Sequence, residues 1–137
     1  MTELQLIELA RQARLHSYSP YSNFSVGAAL LCADGSVYQG CNIENASFGA
    51  TNCAERTAFF KAVYDGKRDF TAIAVVGGPT GTEPENYASP CGICRQVMQE
   101  FCKKDFKVIF GKANDEYLVM TLAEVLPASF SPEDLEG

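Results

Sequence analysis

A largely apolar run near the middle of this 137-residue chain, residues 70–77 (FTAIAVVG), restricts the choice of fold more than any other segment. A strand of this composition has no polar face to turn towards water. It therefore has to be covered on both sides, which is typical of the inner strands of an α/β sheet. The run predicts a central sheet with helices packed against both of its faces.

Other sequence patterns predict the strands and helices that surround this central strand. Asp34-Gly35 is a strong hairpin signal between two predicted strands. An apolar spacing of i, i+3, i+4 and i+7 follows a capping box formed by Thr2 and Gln5, and indicates an N-terminal helix that ends near His16. The remaining predicted elements are strands over 24–33, 36–43, 70–77, 106–110 and 117–120, helices over 52–64 and 90–104, and a short helix after Thr121.

This order of elements is a hairpin followed by βαβ units, with a loop-like tail after Pro127. It predicts an α/β fold, a three-layer α/β/α sandwich around a mixed five-stranded sheet. The length suits one domain over residues 1–137. We expect Thr51 or Asn52 to cap the second helix, and Pro90 to lie in the first turn of the third.

The charge of the chain argues against two classes of partner. There are 11 Lys and Arg residues against 17 Asp and Glu, a net charge of −6, which disfavours both nucleic acid and an anionic membrane surface. No apolar run approaches the roughly 20 residues that cross a bilayer, and the first residues lack the pattern of a signal peptide. We therefore expect a cytoplasmic protein whose six cysteines are reduced.

Three cysteines form the pattern that carries chemistry. Cys91 and Cys94 are a CxxC pair after Pro90, and Cys53 stands at the start of a different predicted helix. Helix N-termini favour thiolates, so two converging helix starts could hold three sulfurs around one tetrahedral Zn²⁺. Three protein ligands leave a fourth position for water, which is typical of catalytic rather than structural zinc.

Two neighbours of Cys53 extend this pattern. Glu55 is placed to shuttle protons for the water without binding zinc itself. Arg56, at i+3 from Cys53, shares its helix face, and its guanidinium would donate to the sulfurs and offset their negative charge. The motif C-A-E … P-C-x-x-C is the three-cysteine form of the zinc-dependent deaminase signature.

At this point the chain resembles the short, homotetrameric, three-cysteine cytidine deaminases. The matching blocks cover nearly the whole chain: YSPYSNFSVGAAL, NIENAS at 42–47, CAERT at 53–57, SPCGICRQ at 89–96, and Leu126-Pro127 with Phe130. The resemblance implies a zinc-dependent hydrolase of pyrimidine salvage, with one Zn²⁺ per chain. It would convert cytidine and deoxycytidine to uridine and deoxyuridine, with release of ammonia.

The resemblance also implies contacts between particular residues and a substrate. Asn42 and Glu44 would bind ribose hydroxyls, and Phe24 and the Ala54 backbone would contact the pyrimidine. Ala46, Phe48 and Phe130 would complete the pocket of a neighbouring subunit. The family often has Tyr at the position of Phe48, so a hydroxyl contact is lost there. Glu44 suits sugar hydroxyls better than a phosphate, which favours a nucleoside over a nucleotide.

Three other functions compete with this interpretation. A polynucleotide deaminase would need basic or aromatic surfaces for a strand, and the negative charge disfavours it. A non-enzymatic zinc module would need a fourth ligand such as Cys41 or Cys102, which, like Cys32, are expected to be small buried apolar residues. Deaminases of nucleoside antibiotics such as blasticidin S share the zinc core, but Asn42, Glu44 and Phe130 favour cytidine.

Overall fold

The apolar run forms the centre of the sheet in a computed structural model of the chain, which describes residues 1–136. The strands are β1 Phe24–Cys32, β2 Val37–Cys41, β3 Phe70–Pro79, β4 Lys107–Gly111 and β5 Tyr117–Thr121. The helices are α1 Glu3–Arg14, α2 Ala54–Tyr64, α3 Gly92–Phe101, α4 Leu122–Val125 and α5 Pro132–Glu136. Short 3-10 turns lie at Phe48–Ala50 and Ala113–Asp115.

The five strands form one sheet in the order β2-β1-β3-β4-β5. β3 pairs with β4 in parallel, and the other three pairings are antiparallel. The chain crosses from β3 to β4 through α3, because parallel neighbours need a long connection. The prediction of an α/β fold with a mixed five-stranded sheet is confirmed.

Helices cover both faces of the sheet, and the alternation of side chains along β3 explains how. Ala72, Ala74 and Val76 point to the face covered by α1, whereas Ile73 and Val75 point to the face covered by α2 and α3. Successive strand residues point to opposite sides, so an apolar strand serves both layers. The larger of the two cores lies under α2 and α3, and it includes a cluster of phenylalanine rings around Phe59.

Several predicted boundaries were wrong, and two of them are helix starts. The cap of α2 is Cys53 rather than Thr51 or Asn52, and α3 begins after Cys91, which leaves Pro90 outside the helix. Both cysteines have extended backbone angles, as N-cap residues do. The helix predicted to reach residue 104 ends at Phe101.

Strand and tail boundaries also differ from those expected. β2 is shorter than the predicted 36–43, and β3 continues to Pro79 because Phe24 at the start of β1 pairs with it. The tail predicted as loop contains α5, where Asp134 accepts a hydrogen bond from the Ser131 backbone. The capping box of Thr2 and Gln5 is confirmed. Across residues 1–136, no helix has the length and apolarity that a membrane span requires.

The start of α2 lies directly on the backbone of β2 at Gly40. A Cβ atom at this glycine would lie 2.4 Å from the Ala54 carbonyl oxygen and 2.5 Å from the Ala58 nitrogen. Any larger residue would therefore lift the helix away from the sheet. This close approach sets the position of Cys53 and Glu55 relative to β1 and β2.

Arg14, the last residue of α1, links the N-terminal end of β1 to the C-terminal end of β3. Its guanidinium donates to the carbonyl oxygens of Ser25 at 2.7 Å, Thr82 at 2.9 Å, Gly78 at 2.9 Å and Pro79 at 3.0 Å. A planar fork of five N–H donors can reach several carbonyls at once, which a single ammonium cannot.

We expect Arg14→Lys to lower the free energy of unfolding by about 1 to 3 kcal/mol, because it leaves several carbonyls without their charged donor. Urea denaturation followed by circular dichroism measures the change. Arg68→Lys is the matched control, since Arg68 is exposed and donates only to nearby carbonyls, those of Val63 and Lys67. Equal stability of the two variants would contradict the role given to Arg14.

Candidate active site and metal centre

The N-termini of α2 and α3 bring three cysteine sulfurs to one point. Cys53 Sγ lies 3.7 Å from Cys91 Sγ, and Cys91 Sγ lies 3.5 Å from Cys94 Sγ. All three sulfurs lie within 4.8 Å of one another. The structure therefore brings together the three residues that were predicted as ligands.

The donor set fits zinc. A tetrahedral Zn²⁺ with Zn–S bonds of about 2.3 Å separates its sulfur ligands by about 3.8 Å, close to the two shorter distances found here. Within residues 1–136, the group of side chains that could hold a metal comprises only Cys53, Cys91 and Cys94. A fourth coordination position is thus left to a non-protein ligand, as in catalytic zinc sites.

The sulfurs are electrostatically coupled. The Cys94 thiol and the Arg56 guanidinium hold the pKa of Cys53 below its ordinary value, at about 5. Interaction with the Cys53 sulfur and burial raise the pKa of the Cys94 thiol. Neighbouring thiolates disfavour one another, and a divalent cation would offset the negative charge of both sulfurs at once.

Arg56 contacts the sulfur group from the side of α2. Its Nη2 lies 3.4 Å from Cys53 Sγ and 3.5 Å from the Thr51 carbonyl oxygen. Its Nε is buried and has no hydrogen-bond partner among the described residues. The guanidinium is therefore committed to the negative charge of the cysteines rather than to a surface carboxylate.

Glu55 is buried one residue into α2. Its side chain is only 4% exposed, and burial raises the pKa of its carboxyl to about 7. It lines the same cavity as Cys53 and Cys91 but does not belong to the group of three ligands. A carboxyl with a pKa near neutrality can both accept and release a proton, which suits a general acid–base.

A cavity of about 320 Å³ opens beside the cysteines. Among the predicted contact residues, Phe24, Asn42 and Ala54 line it, together with Glu55. Phe24 is 40% exposed and stands between this cavity and a second one of about 270 Å³, which lies under residues 82–87. The larger cavity places an aromatic ring and a carboxyl around one small volume.

Other predicted contact residues lie outside this cavity. Glu44 accepts hydrogen bonds from the backbone nitrogens of Tyr21 and Ser22 and from the Ser22 hydroxyl, which lowers the pKa of its carboxyl. The remaining three are exposed on the surface: Ala46, Phe48 at 79% and Phe130 at 58%. Within a single chain they do not meet the cysteines.

The spare cysteines do not complete the metal group. Cys41 Sγ donates to the His16 carbonyl oxygen at 3.3 Å, and Cys102 ends α3, far along the helix from Cys91 and Cys94. Burial raises the pKa of both thiols. Only Cys32 is fully buried as expected, since Cys41 and Cys102 are partly exposed.

Sequence reasoning missed several residues that line the cavity. They are Val26, Thr51, Asn52, Val75, Ala88 and Ser89. The strand period of two places Val26 on the same face of β1 as Phe24, so this residue could have been found. Val75 could not, because its place depends on the pairing of β3 with β1.

Comparisons with known proteins agree with this site. Residues 1–112 match the family described as "Cytidine and deoxycytidylate deaminase zinc-binding region". A cytidine deaminase from Halalkalibacterium halodurans is 53% identical over 135 residues, 98% of each chain. Another from Sporosarcina psychrophila is 51% identical over 131 residues, 96% of this chain and 93% of that protein.

A solved structure shows the same fold. The 1.6 Å crystal structure of cytidine deaminase from Burkholderia pseudomallei has a TM-score of 0.87 to this chain. The two are 48% identical, and the match covers 95% of this chain and 100% of that one. The similarity in sequence and in fold therefore extends over almost the whole molecule.

We expect Arg56→Ala to lower zinc affinity or turnover by about 10- to 100-fold, the usual cost of losing a group that supports metal ligands. The loss of its positive charge raises the pKa of Cys53 and weakens that thiolate as a ligand. Zinc content after dialysis and the rate of cytidine loss measure the effect. Arg68→Ala is the control, and unchanged zinc binding and turnover in Arg56→Ala would contradict the role.

Proposed function

This chain belongs to the cytidine and deoxycytidylate deaminase family and is a hydrolase that deaminates cytidine; we propose that it also accepts deoxycytidine and acts with one Zn²⁺ per chain. The products are uridine or deoxyuridine and ammonia. The observation that carries the proposal is the cavity that holds a buried Glu55 beside three converging sulfurs. Residues 1–137 would form one domain that carries the three cysteines and Glu55.

Cys53, Cys91 and Cys94 are the proposed zinc ligands, with Arg56 as the residue that offsets their charge. A bound zinc would supply an acidic water, with a pKa of about 7 in favourable sites, as the nucleophile for C4 of the pyrimidine. Cys53 and Cys91 are N-cap residues of their helices, where the helix dipole favours thiolates. Cys94 N lies 3.5 Å from Cys91 Sγ in this arrangement.

Glu55 is the proposed proton carrier. Its carboxylate would accept a proton from the attacking water and deliver it to N3 of the ring. It would then carry the proton of the new C4 hydroxyl to the amino group, so that the C4–N bond breaks, ammonia leaves and C4=O forms. The pKa of about 7 supports this role because both protonation states are accessible near neutral pH. Burial also keeps bulk water away from the carboxyl between the two transfers.

Ala54, Phe24 and Asn42 are the proposed contacts in the cavity. Ala54 is the first residue of α2, where backbone N–H groups have no partner within the helix. Its N–H can therefore donate to the pyrimidine carbonyl. Phe24 would pack against the base, and Asn42 would bind a ribose hydroxyl from the opposite wall.

Glu44 is proposed as a second ribose contact, from outside the residues that line the cavity. The Ser22 hydroxyl and the backbone nitrogens of Tyr21 and Ser22 hold it as a carboxylate. Its charge repels a 5′-phosphate, which supports a nucleoside rather than a nucleotide as the substrate.

We also propose that four copies of the chain assemble and share pockets. Ala46, Phe48 and Phe130 would then complete the pocket of a neighbouring copy. The exposure of both rings supports this, because large aromatic side chains left in water are enriched at interfaces. The Gln96 side chain donates to the Phe130 carbonyl oxygen at 2.9 Å, which links this segment to α3.

A cytoplasmic role in pyrimidine salvage completes the proposal. None of the six cysteines forms a disulfide bond, which suits a reducing compartment. The net charge of −6 supports free nucleosides rather than nucleic acid as partners.

We expect Glu55→Gln to bind zinc normally and to deaminate cytidine at least about 10² to 10⁴ times more slowly, because the amide cannot carry a proton. The fall in cytidine absorbance gives the rate, and metal analysis gives the zinc content. Glu124→Gln is a control, since that carboxylate serves the capping box of α4. Near-normal turnover in Glu55→Gln would refute the mechanism.

We expect a strong zinc chelator to abolish the loss of cytidine absorbance, and added Zn²⁺ to restore it, because the water loses its acidity without the metal. The wild-type chain without chelator is the reference. Persistent turnover by a preparation shown to be free of zinc would exclude the proposed cofactor. Blasticidin S, assayed beside cytidine, tests the rival substrate class.

A further inference from the structure

The hydrogen bonds of Asn42 leave it only one way to contact a substrate. Its Oδ1 accepts from the Val26 backbone nitrogen at 2.9 Å, and its Nδ2 donates to the Phe24 carbonyl oxygen at 2.8 Å. A backbone N–H can only donate and a carbonyl can only accept. The amide orientation is therefore determined by the main chain of β1.

A third partner occupies the remaining acceptor site of this amide. Ser17 Oγ donates to Asn42 Oδ1 at 2.5 Å. An amide oxygen has two acceptor positions, and Val26 and Ser17 fill both of them. One N–H of Asn42 Nδ2 remains, and it has no hydrogen-bond partner among the described residues. The Asn42 side chain lines the cavity.

The main chain holds Ser17 in register with Asn42. The Tyr18 nitrogen donates to the Asn42 carbonyl oxygen at 3.0 Å, and Tyr18 and Ile43 form an isolated bridge. The hydroxyl of Ser17 is thus placed by the backbone rather than by a mobile loop.

A chain of hydroxyls continues from Ser17 to the end of β3. Ser17 Oγ lies 3.1 Å from Ser19 Oγ, which lies 3.2 Å from Ser25 Oγ, and Ser25 Oγ lies 2.7 Å from Thr80 Oγ1. Ser25 is only 5% exposed. These groups connect the cavity wall to the point where the long 80–89 segment begins.

We propose that Ser17 is a positioning residue for sugar recognition, acting through Asn42. Its hydroxyl closes the acceptor side of the amide and leaves a single N–H for a sugar hydroxyl oxygen. By donating to the amide carbonyl it also polarises the amide and strengthens the free N–H as a donor. The inference rests on the proposed function, because it requires that the cavity bind a nucleoside by its ribose.

The test compares two substrates that differ only in the hydroxyls concerned. Wild type and Ser17→Ala are assayed with cytidine and with 2′,3′-dideoxycytidine, which lacks both ring hydroxyls. If the analogue turns over too slowly, its inhibition constant against cytidine replaces its KM. Ser36→Ala is the matched control, because the Ser36 hydroxyl donates to Asp34 in the hairpin turn away from the cavity.

We expect Ser17→Ala to raise the KM for cytidine by about 3- to 10-fold, the value of one hydrogen bond, with kcat within about twofold of wild type. For Ser17→Ala, the KM or inhibition constant of the dideoxy analogue should stay within about twofold of the wild-type value. For Ser36→Ala, KM and kcat with both substrates should also stay within about twofold of wild type. If Ser17 had only a structural role, its loss would weaken the binding of cytidine and of the dideoxy analogue equally.

Two results would overturn the inference while the proposed function stands. One is an equal loss on cytidine and on the dideoxy analogue, and the other is an unchanged KM for cytidine in Ser17→Ala. A wild-type chain that holds zinc yet leaves cytidine intact would instead overturn the proposed function, and the role of Ser17 with it.

Discussion

The convergence of two helix N-termini on one point is the constraint on which the rest of the site depends. Cys53 and Cys91 each cap a helix, and their sulfurs meet only because α2 and α3 pack side by side on the same face of the sheet. Gly40 lets the start of α2 rest on β2. Helix packing therefore brings the three thiols together, and a bound cation would offset the repulsion between their thiolates.

Strand β1 supplies another wall of the cavity through Phe24 and Val26. Phe24 and Asn42 stand on or beside β1, whose main chain fixes the direction of the Asn42 amide. Arg14 binds carbonyls from β1, β3 and the following turn from the outer side. The cysteine wall and the Asn42 wall of the cavity are therefore held by separate sets of interactions.

Much of this arrangement could be predicted from the sequence, because the decisive signals are local. The apolar run at 70–77 required a covered strand, and Asp34-Gly35 required a hairpin. The cysteine and glutamate spacing predicted a three-sulfur group beside a carboxyl, and the structure brings the three sulfurs together. Helix starts were less well predicted, since a cap is defined by backbone angles that residue type alone does not specify.

The fold class, the mixed sheet and the convergence of three cysteines could be predicted from sequence alone, because periodicity and residue spacing are local features. Which side chains line the cavity depends on packing between distant segments. Val75 enters it through the register of β3 against β1, and Ser17 reaches Asn42 across 25 residues of chain. Such contacts arise from packing between segments distant in the chain, and no local pattern encodes them.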